Sequence, residues 1–190
     1  NLVLVSHGDE NIEGNTLGML AAIDGAQTGD IKTAKWMIHG AEFSFSSPVV
    51  DGTRLYQIDG GSTLRAYDIE TGAEQWTALL GTAQKAPAVL ADGKIYVGND
   101  NGKFFIIRPR VDKAEILSSV ALPNSTNSCC GSEGTPEQVL GNAAISRGRI
   151  FFMSSDAIYA IGAKQPTSPT GFATEETVTA GSGAAAYLQV

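Results

Sequence analysis

Cysteine, histidine and charge are all scarce in this 190-residue sequence. Two cysteines are too few for a disulfide framework or for a zinc site built from four thiolates. Two histidines, His7 and His39, exclude a histidine-rich metal centre. Charged residues make up only 17% of the chain, below the usual ~25%. The net charge of −7 runs against the basic face that a nucleic-acid footprint requires. Apolar runs stop at four or five residues, so no stretch spans a bilayer as a helix. What is present is glycine, 22 residues of it, within an ordinary hydrophobic fraction of 43%. That fraction excludes wholesale disorder. Few charges and many glycines suit short strands joined by tight turns.

The chain opens on Asn1-Leu2-Val3-Leu4-Val5, an apolar, β-branched run with neither initiator methionine nor leader. It closes on Ala184-Ala185-Ala186-Tyr187-Leu188-Gln189-Val190, again strand-like. The expectation from both ends is a fragment of a larger polypeptide.

A repeat organises the middle. Asp51-Gly52 and Asp92-Gly93 lie 41 residues apart, each after a small-Pro-apolar run (Ser47-Pro48-Val49-Val50; Ala86-Pro87-Ala88-Val89). An aromatic strand follows each, Arg54–Ile58 or Lys94–Val97, then a Gly/Asn/Asp turn of hairpin chemistry, then a third strand, Leu64–Asp68 or Lys103–Ile107. Trp36 and Trp76 are 40 apart, and Asp24 and Asp68 are 44 apart. A further copy begins at Ala143 and follows an insertion at Pro123–Gly141.

Units of ~40–45 residues with four short strands are the signature of β-propeller blades. With strands A to D counted from the axis outward, the first blade supplies B (2–7), C (17–24) and D (35–39). The second runs from Phe45 to about Leu80, with 74–79 as its outer strand despite a helix-favouring composition. The third runs from Ala86 to about Leu122. The fourth supplies A (142–146), B (149–154) and C (157–161), and its outer strand is not evident. The fold expectation is therefore all-β: a propeller of four-stranded antiparallel blades with about three and a half blades present, an arc rather than a ring. Residues 1–163 form the blades. Residues 164–190 read as a Pro/Thr/Gly linker and tail, disordered or leading into a further domain, with Tyr187–Val190 as its first strand.

The stretch Ala66-Tyr67-Asp68-Ile69-Glu70-Thr71-Gly72-Ala73-Glu74-Gln75-Trp76 resembles the tryptophan-docking motif of the PQQ-like (quinoprotein) repeat family. Its parts make physical sense unaided. Asp68 at a strand end accepts backbone N–H groups, Gly72 supplies positive φ, and Trp76 packs between blades. The resemblance implies that this Trp stacks on a peptide of the adjacent blade. A looser copy is Asp24 after Ala22-Ile23, then Thr28-Gly29 and Trp36. The third blade has Ile107-Arg108-Pro109 and no Trp, and the fourth keeps only Ala160-Ile161-Gly162.

Enzymes that share this resemblance hold PQQ and Ca²⁺ on the axis, whereas relatives such as the outer-membrane assembly lipoprotein of Gram-negative bacteria bind no quinone. No residue here matches the enzymes' base or calcium set. One feature resembles them: Cys129-Cys130, adjacent cysteines in the insertion, which some quinoprotein alcohol dehydrogenases close into a ring stacked on the cofactor. A structural vicinal disulfide or a reduced pair is the competing reading. The acidic loop Asp9-Glu10-Asn11-Ile12-Glu13 offers hard oxygen donors for Ca²⁺ through Asp9, Asn11 and Glu13. Leu20 stands where an EF-hand needs its bidentate Glu, so that motif fails. A solvated blade loop is the plainer reading. Asn124-Ser125-Thr126 matches a glycosylation sequon.

These readings converge on a non-catalytic scaffold or protein-interaction domain of an exported bacterial protein, in the periplasm, at the outer-membrane surface or outside the cell. Its partners would be other blades of the same protein or proteins at the propeller faces, with no cofactor. Two alternatives stand beside it: part of a PQQ- and Ca-dependent dehydrogenase of alcohols or sugars, and a carbohydrate- or calcium-binding surface module.

Overall fold

Two-residue turns punctuate this chain, and their conformations divide it into sheets. Asp92-Gly93 joins two strands with φ of +50° and +64°, and Arg147-Gly148 repeats the device at +49° and +73°. Positive φ at both central residues matches the right-handed twist of paired strands. The second blade is offset by one residue. Asp51 pairs with Arg54, so Gly52-Thr53 forms the turn and only Gly52 (φ +59°) is left-handed. The Asp-Gly pairs thus recur every 41 residues while the strands after them recur every 40.

The computed structural model describes residues 1–11, 15–40, 42–43, 45–127, 133–162 and 185–187, with the side chains of 9, 10 and 185–187 left aside. The described strands are β1 (Leu2–Glu10), β2 (Leu17–Asp24), β3 (Trp36–His39), β4 (Val49–Asp51), β5 (Arg54–Ile58), β6 (Thr63–Asp68), β7 (Glu74–Leu79), β8 (Val89–Ala91), β9 (Lys94–Gly98), β10 (Lys103–Pro109), β11 (Ala114–Ala121), β12 (Ala144–Ser146), β13 (Arg149–Met153), β14 (Ile158–Gly162) and β15 (Ala185–Tyr187). They form four sheets, ordered β1-β2-β3, β4-β5-β6-β7, β8-β9-β10-β11 and β12-β13-β14-β15. No described residue is helical. This is the all-β partial propeller that the repeat predicted.

Residues 74–79 are a strand, as the repeat required and propensity did not. The outermost strand of the fourth blade is Ala185–Tyr187, and it runs parallel to β14 whereas every other described pair is antiparallel. A parallel partner needs a long connection. In sequence, 22 residues separate Gly162 from Ala185.

The core lies between blades. Side chains alternate faces along each strand, so each blade sends one set of residues forward and another back. Tyr56, Ile58, Leu64 and Ala66 of the second blade pack with Ile95, Val97, Phe105 and Ile107 of the third. Tyr96 and Phe104 of the third pack with Ile150, Phe152, Tyr159 and Ile161 of the fourth. Leu20, with Leu4 and Ile38, joins the first blade to Leu55 and Tyr67 of the second. Each Val, Leu, Ile or Phe among them contributes about 1.5–3 kcal/mol when fully buried.

Candidate functional site

The motif residues sit on one loop face of the arc, where the third and fourth strands of a blade are joined. Asp68 ends β6, and its Oδ1 accepts hydrogen bonds from the Glu70 and Thr71 amides (3.1 and 2.9 Å) and from Thr71 Oγ1 (2.8 Å). The Gly72 amide closes the turn onto the Asp68 carbonyl at 2.8 Å. These bonds, Thr71 foremost, hold the Asp68 carboxyl below the ordinary carboxylate range. Gly72 is left-handed (φ +72°), and a Cβ there would lie 2.7 Å from the Trp36 ring. Trp36 of the first blade therefore lies against the Gly72 backbone of the second. Its indole Nε1 donates to the Ile69 carbonyl at 2.9 Å. Trp76 does the same one blade on, donating to the Arg110 carbonyl at 3.1 Å. Both Trp residues pair with an alanine of the strand inside them, Trp36 with Ala22 and Trp76 with Ala66, so the two copies are in register. Lys35 and Glu70 add an ion pair across the first two blades.

The looser copy is looser for a visible reason. Among the described residues Asp24 Oδ1 accepts only the Ala26 amide (3.0 Å), and the chain makes a longer excursion through Gly29 (φ +77°) before reaching Trp36. In the third blade the position equivalent to Trp76 is Ser118, which pairs with Ile106 as Trp76 pairs with Ala66. Stacked rings replace the indole at that joint: Phe104 on Phe152 at 4.1 Å and Phe152 on Tyr159 at 5.0 Å.

The opposite loop face carries the insertion and a polar clamp that sequence reasoning missed. The two flanks of the insertion zip together through Ser125 N to the Thr135 carbonyl (2.7 Å) and Glu137 N to the Pro123 carbonyl (3.0 Å). Ser125 Oγ then reaches Asp156 of the fourth blade at 2.7 Å. Buried Glu137 accepts from Ser154 Oγ at 2.5 Å and from the Tyr159 hydroxyl at 2.6 Å. Burial first, and the Glu137 carboxylate second, push the Tyr159 hydroxyl well above the ordinary phenol range. Asp156 is held low by the hydroxyls of Ser125 and Ser155. On the third blade the same strap covers the backbone closely: Val139 would collide with any Cβ at Gly98, and Pro136 with one at Gly102.

Cys129 and Cys130 lie outside the described residues, as do Glu13 and the side chain of Asp9. Asn11 is described, and its amide donates to the Thr16 and Gly18 carbonyls (2.7 and 2.9 Å), closing the β1–β2 connection. Among the described residues no group of three or more His, Cys, Asp or Glu comes together. His7 and His39 stand in register on either side of Met19, at the end of the first blade.

The geometry agrees with comparisons to known proteins. Residues 14–185 match the model of a PQQ-like repeat family described as outer membrane protein assembly factor BamB. Among solved structures the chain is similar to BamB from Moraxella catarrhalis, at 16% identity and a TM-score of 0.57, covering 80% of this chain and 40% of that one. It is also similar to a europium-containing methanol dehydrogenase, at 10% identity and a TM-score of 0.56, covering 80% of this chain and 33% of that one. The chain thus spans well under half the length of either structure. A search of curated proteins gives no match. With the repeat, the docking geometry and the family match in agreement, this chain belongs to the PQQ-like repeat β-propeller family.

Proposed function

We propose that this chain is a non-catalytic scaffold or protein-interaction domain of an exported protein. One observation carries the reading: Asp68, Asp59, Asp156 and Glu137, on the two loop faces, are committed to holding turns and blades. Asp68 caps its turn, Asp59 Oδ1 binds the Thr63 amide at 2.9 Å, and Asp156 and Glu137 anchor the insertion. Groups tied up in this way give rigid, patterned loop faces and leave no free base or calcium set among them. The likeness to a BamB structure supports the same reading through the fold. The family's description as an outer-membrane assembly factor suits an exported protein that works by contact.

Titration with PQQ and Ca²⁺, followed by absorbance and by dye-linked alcohol oxidation, tests it. The expected result is no saturable binding and no dye reduction. Stoichiometric PQQ binding with alcohol-dependent dye reduction would overturn the scaffold reading in favour of the dehydrogenase.

A further inference from the structure

The whole chain has two histidines and three methionines, and four of these five side chains share one face of the first sheet. Strand register puts them there. His7 of β1 stands opposite Met19 of β2, and Met19 stands opposite His39 of β3. Residues directly opposite in an antiparallel pair point to the same face, with Cβ atoms about 4.5–5.5 Å apart. His7 and His39 thus flank Met19 on one line across the sheet, at roughly twice that spacing from each other. Met37 lies two residues before His39 in β3, so the alternation of side chains returns it to the same face. The fifth, Met153, belongs to the fourth blade.

The neighbouring blades show how side chains behave at these positions. The place of His7 is taken by Asp59 in the second blade and by Asn99 in the third. Each leans onto the adjacent strand and accepts an amide, Thr63 N at 2.9 Å or Lys103 N at 3.0 Å. Thr63 and Lys103 hold the place of Met19. The places of Met37 and His39 hold Thr77 and Leu79, then Ser119 and Ala121. All four are exposed although a blade precedes each of them. The set therefore stands at the outer rim of a joint, and its openness does not depend on what precedes the first blade.

The donors are neutral and soft. Among the described residues neither imidazole is engaged in a hydrogen bond or ion pair. A metal–imidazole bond of about 2 Å lets two rings that lean inward meet over the central strand. Thioether sulfur selects Cu(I), whereas calcium and magnesium take oxygen. We propose that His7, Met19 and His39, with Met37 beside them, form a binding site for a soft monovalent cation, Cu(I) or its analogue Ag(I). Binding is ligation alone, with no electron transferred. The cation ties β1 to β3, which are not hydrogen-bonded neighbours in the sheet. This inference is independent of the scaffold reading, because neither PQQ nor oxidation enters its test.

Cys129 and Cys130 are competing soft ligands, so the full chain is titrated with both replaced, Cys129→Ser and Cys130→Ser. Anaerobic addition of Cu(I) against a chromophoric chelator is expected to show one cation bound per chain. In parallel, Ag(I) added to the parent chain should shift the NMR signals of both imidazoles. X-ray absorption of the Cu(I) form should show nitrogen and sulfur together in the metal's ligand shell. His39→Gln and Met19→Leu should each weaken Cu(I) by more than about a hundredfold, since changes outside a ligand shell already cost about 10–100-fold. Met153→Leu should leave the affinity unchanged. His39 is exposed and leucine conserves the volume of Met19, so circular dichroism should keep its parent form. Absence of Cu(I) binding in the cysteine-free chain overturns the proposal. So does an affinity indifferent to His39→Gln and Met19→Leu, a ligand shell without sulfur, or Ag(I) that leaves both imidazoles unshifted.

Discussion

Gly72 meets two demands at one position, a left-handed backbone and a bare surface for an indole. Only the first can be met at some cost by alanine, because a Cβ there runs into Trp36. Gly52 is the natural control: its φ is +59°, and nothing lies within 4 Å of its missing Cβ. Gly52→Ala is expected to cost about 1–2 kcal/mol from conformation alone. Gly72→Ala should cost that amount and a further ~1–3 kcal/mol of overpacking. Urea unfolding of both variants checks the difference, and equal losses would show that Trp36 does not rest on this backbone. The motif was legible in the sequence because its chemistry is local. Asp68, Thr71 and Gly72 satisfy one another within a single turn, and the Trp recurs at the repeat distance. Candidate residues with no such local logic were not resolved by sequence. Asn11, read as a cation ligand, donates its amide to the loop's own carbonyls. Asp9, Glu13, Cys129 and Cys130 lie outside the described side chains.

At the level of elements, periodicity located the strands and was silent about what pins the insertion. The segments 17–24, 54–58 and 74–79 match observed β2, β5 and β7, and the ends of the other strands read in residues 1–163 differ by at most three residues, at fraying ends. The clamp was illegible for a physical reason. Glu137 meets Tyr159 and Ser154 across 22 and 17 residues, and Ser125 meets Asp156 across 31, with no period linking them. Such partners are read only from a fold. Tyr159→Phe deletes a hydrogen bond to a buried carboxylate and should cost about 1.5–3 kcal/mol at neutral pH. It should also change the alkaline limb. The Tyr159 hydroxyl is raised above its ordinary 10.0 in the folded chain. Its contribution is therefore complete below the unfolded value and is lost as pH rises from there towards the folded one. Urea midpoints between about pH 7 and 11 should fall less steeply in Tyr159→Phe than in the parent chain. Some slope should persist, because burial also raises Tyr67, to about 12. Parallel pH profiles for the two proteins would contradict the buried Tyr159–Glu137 bond.

Across the whole molecule, blades hold one another by three joints of unequal make. The second-to-third joint combines a broad apolar cluster with the buried Trp76 indole. The third-to-fourth joint has stacked rings and the Glu137 clamp. The first-to-second joint rests on a smaller cluster, a half-buried Trp36 and an exposed Lys35–Glu70 pair, an ion pair that contributes about 0–1 kcal/mol. Among the described residues, moreover, the first sheet has three strands where the others have four. Fewer buried contacts mean a lower free energy of local opening. Trp76→Ala is expected to cost about 3–5 kcal/mol, as for other buried aromatic truncations, and to loosen the second and third blades together. Trp36→Ala should cost roughly half as much, in keeping with its partial burial, and should act on the first blade alone. Native-state hydrogen exchange separates these outcomes: amides of β1–β3 should exchange faster in Trp36→Ala while those of β9, β10, β13 and β14 hold their parent rates. Trp36→Phe should recover the ring contact with Gly72 but not the Nε1 bond to the Ile69 carbonyl, and so should fall between the two. Uniform acceleration of all four sheets in Trp36→Ala would mean that the blades open as one unit and that the docking tryptophans act globally rather than joint by joint.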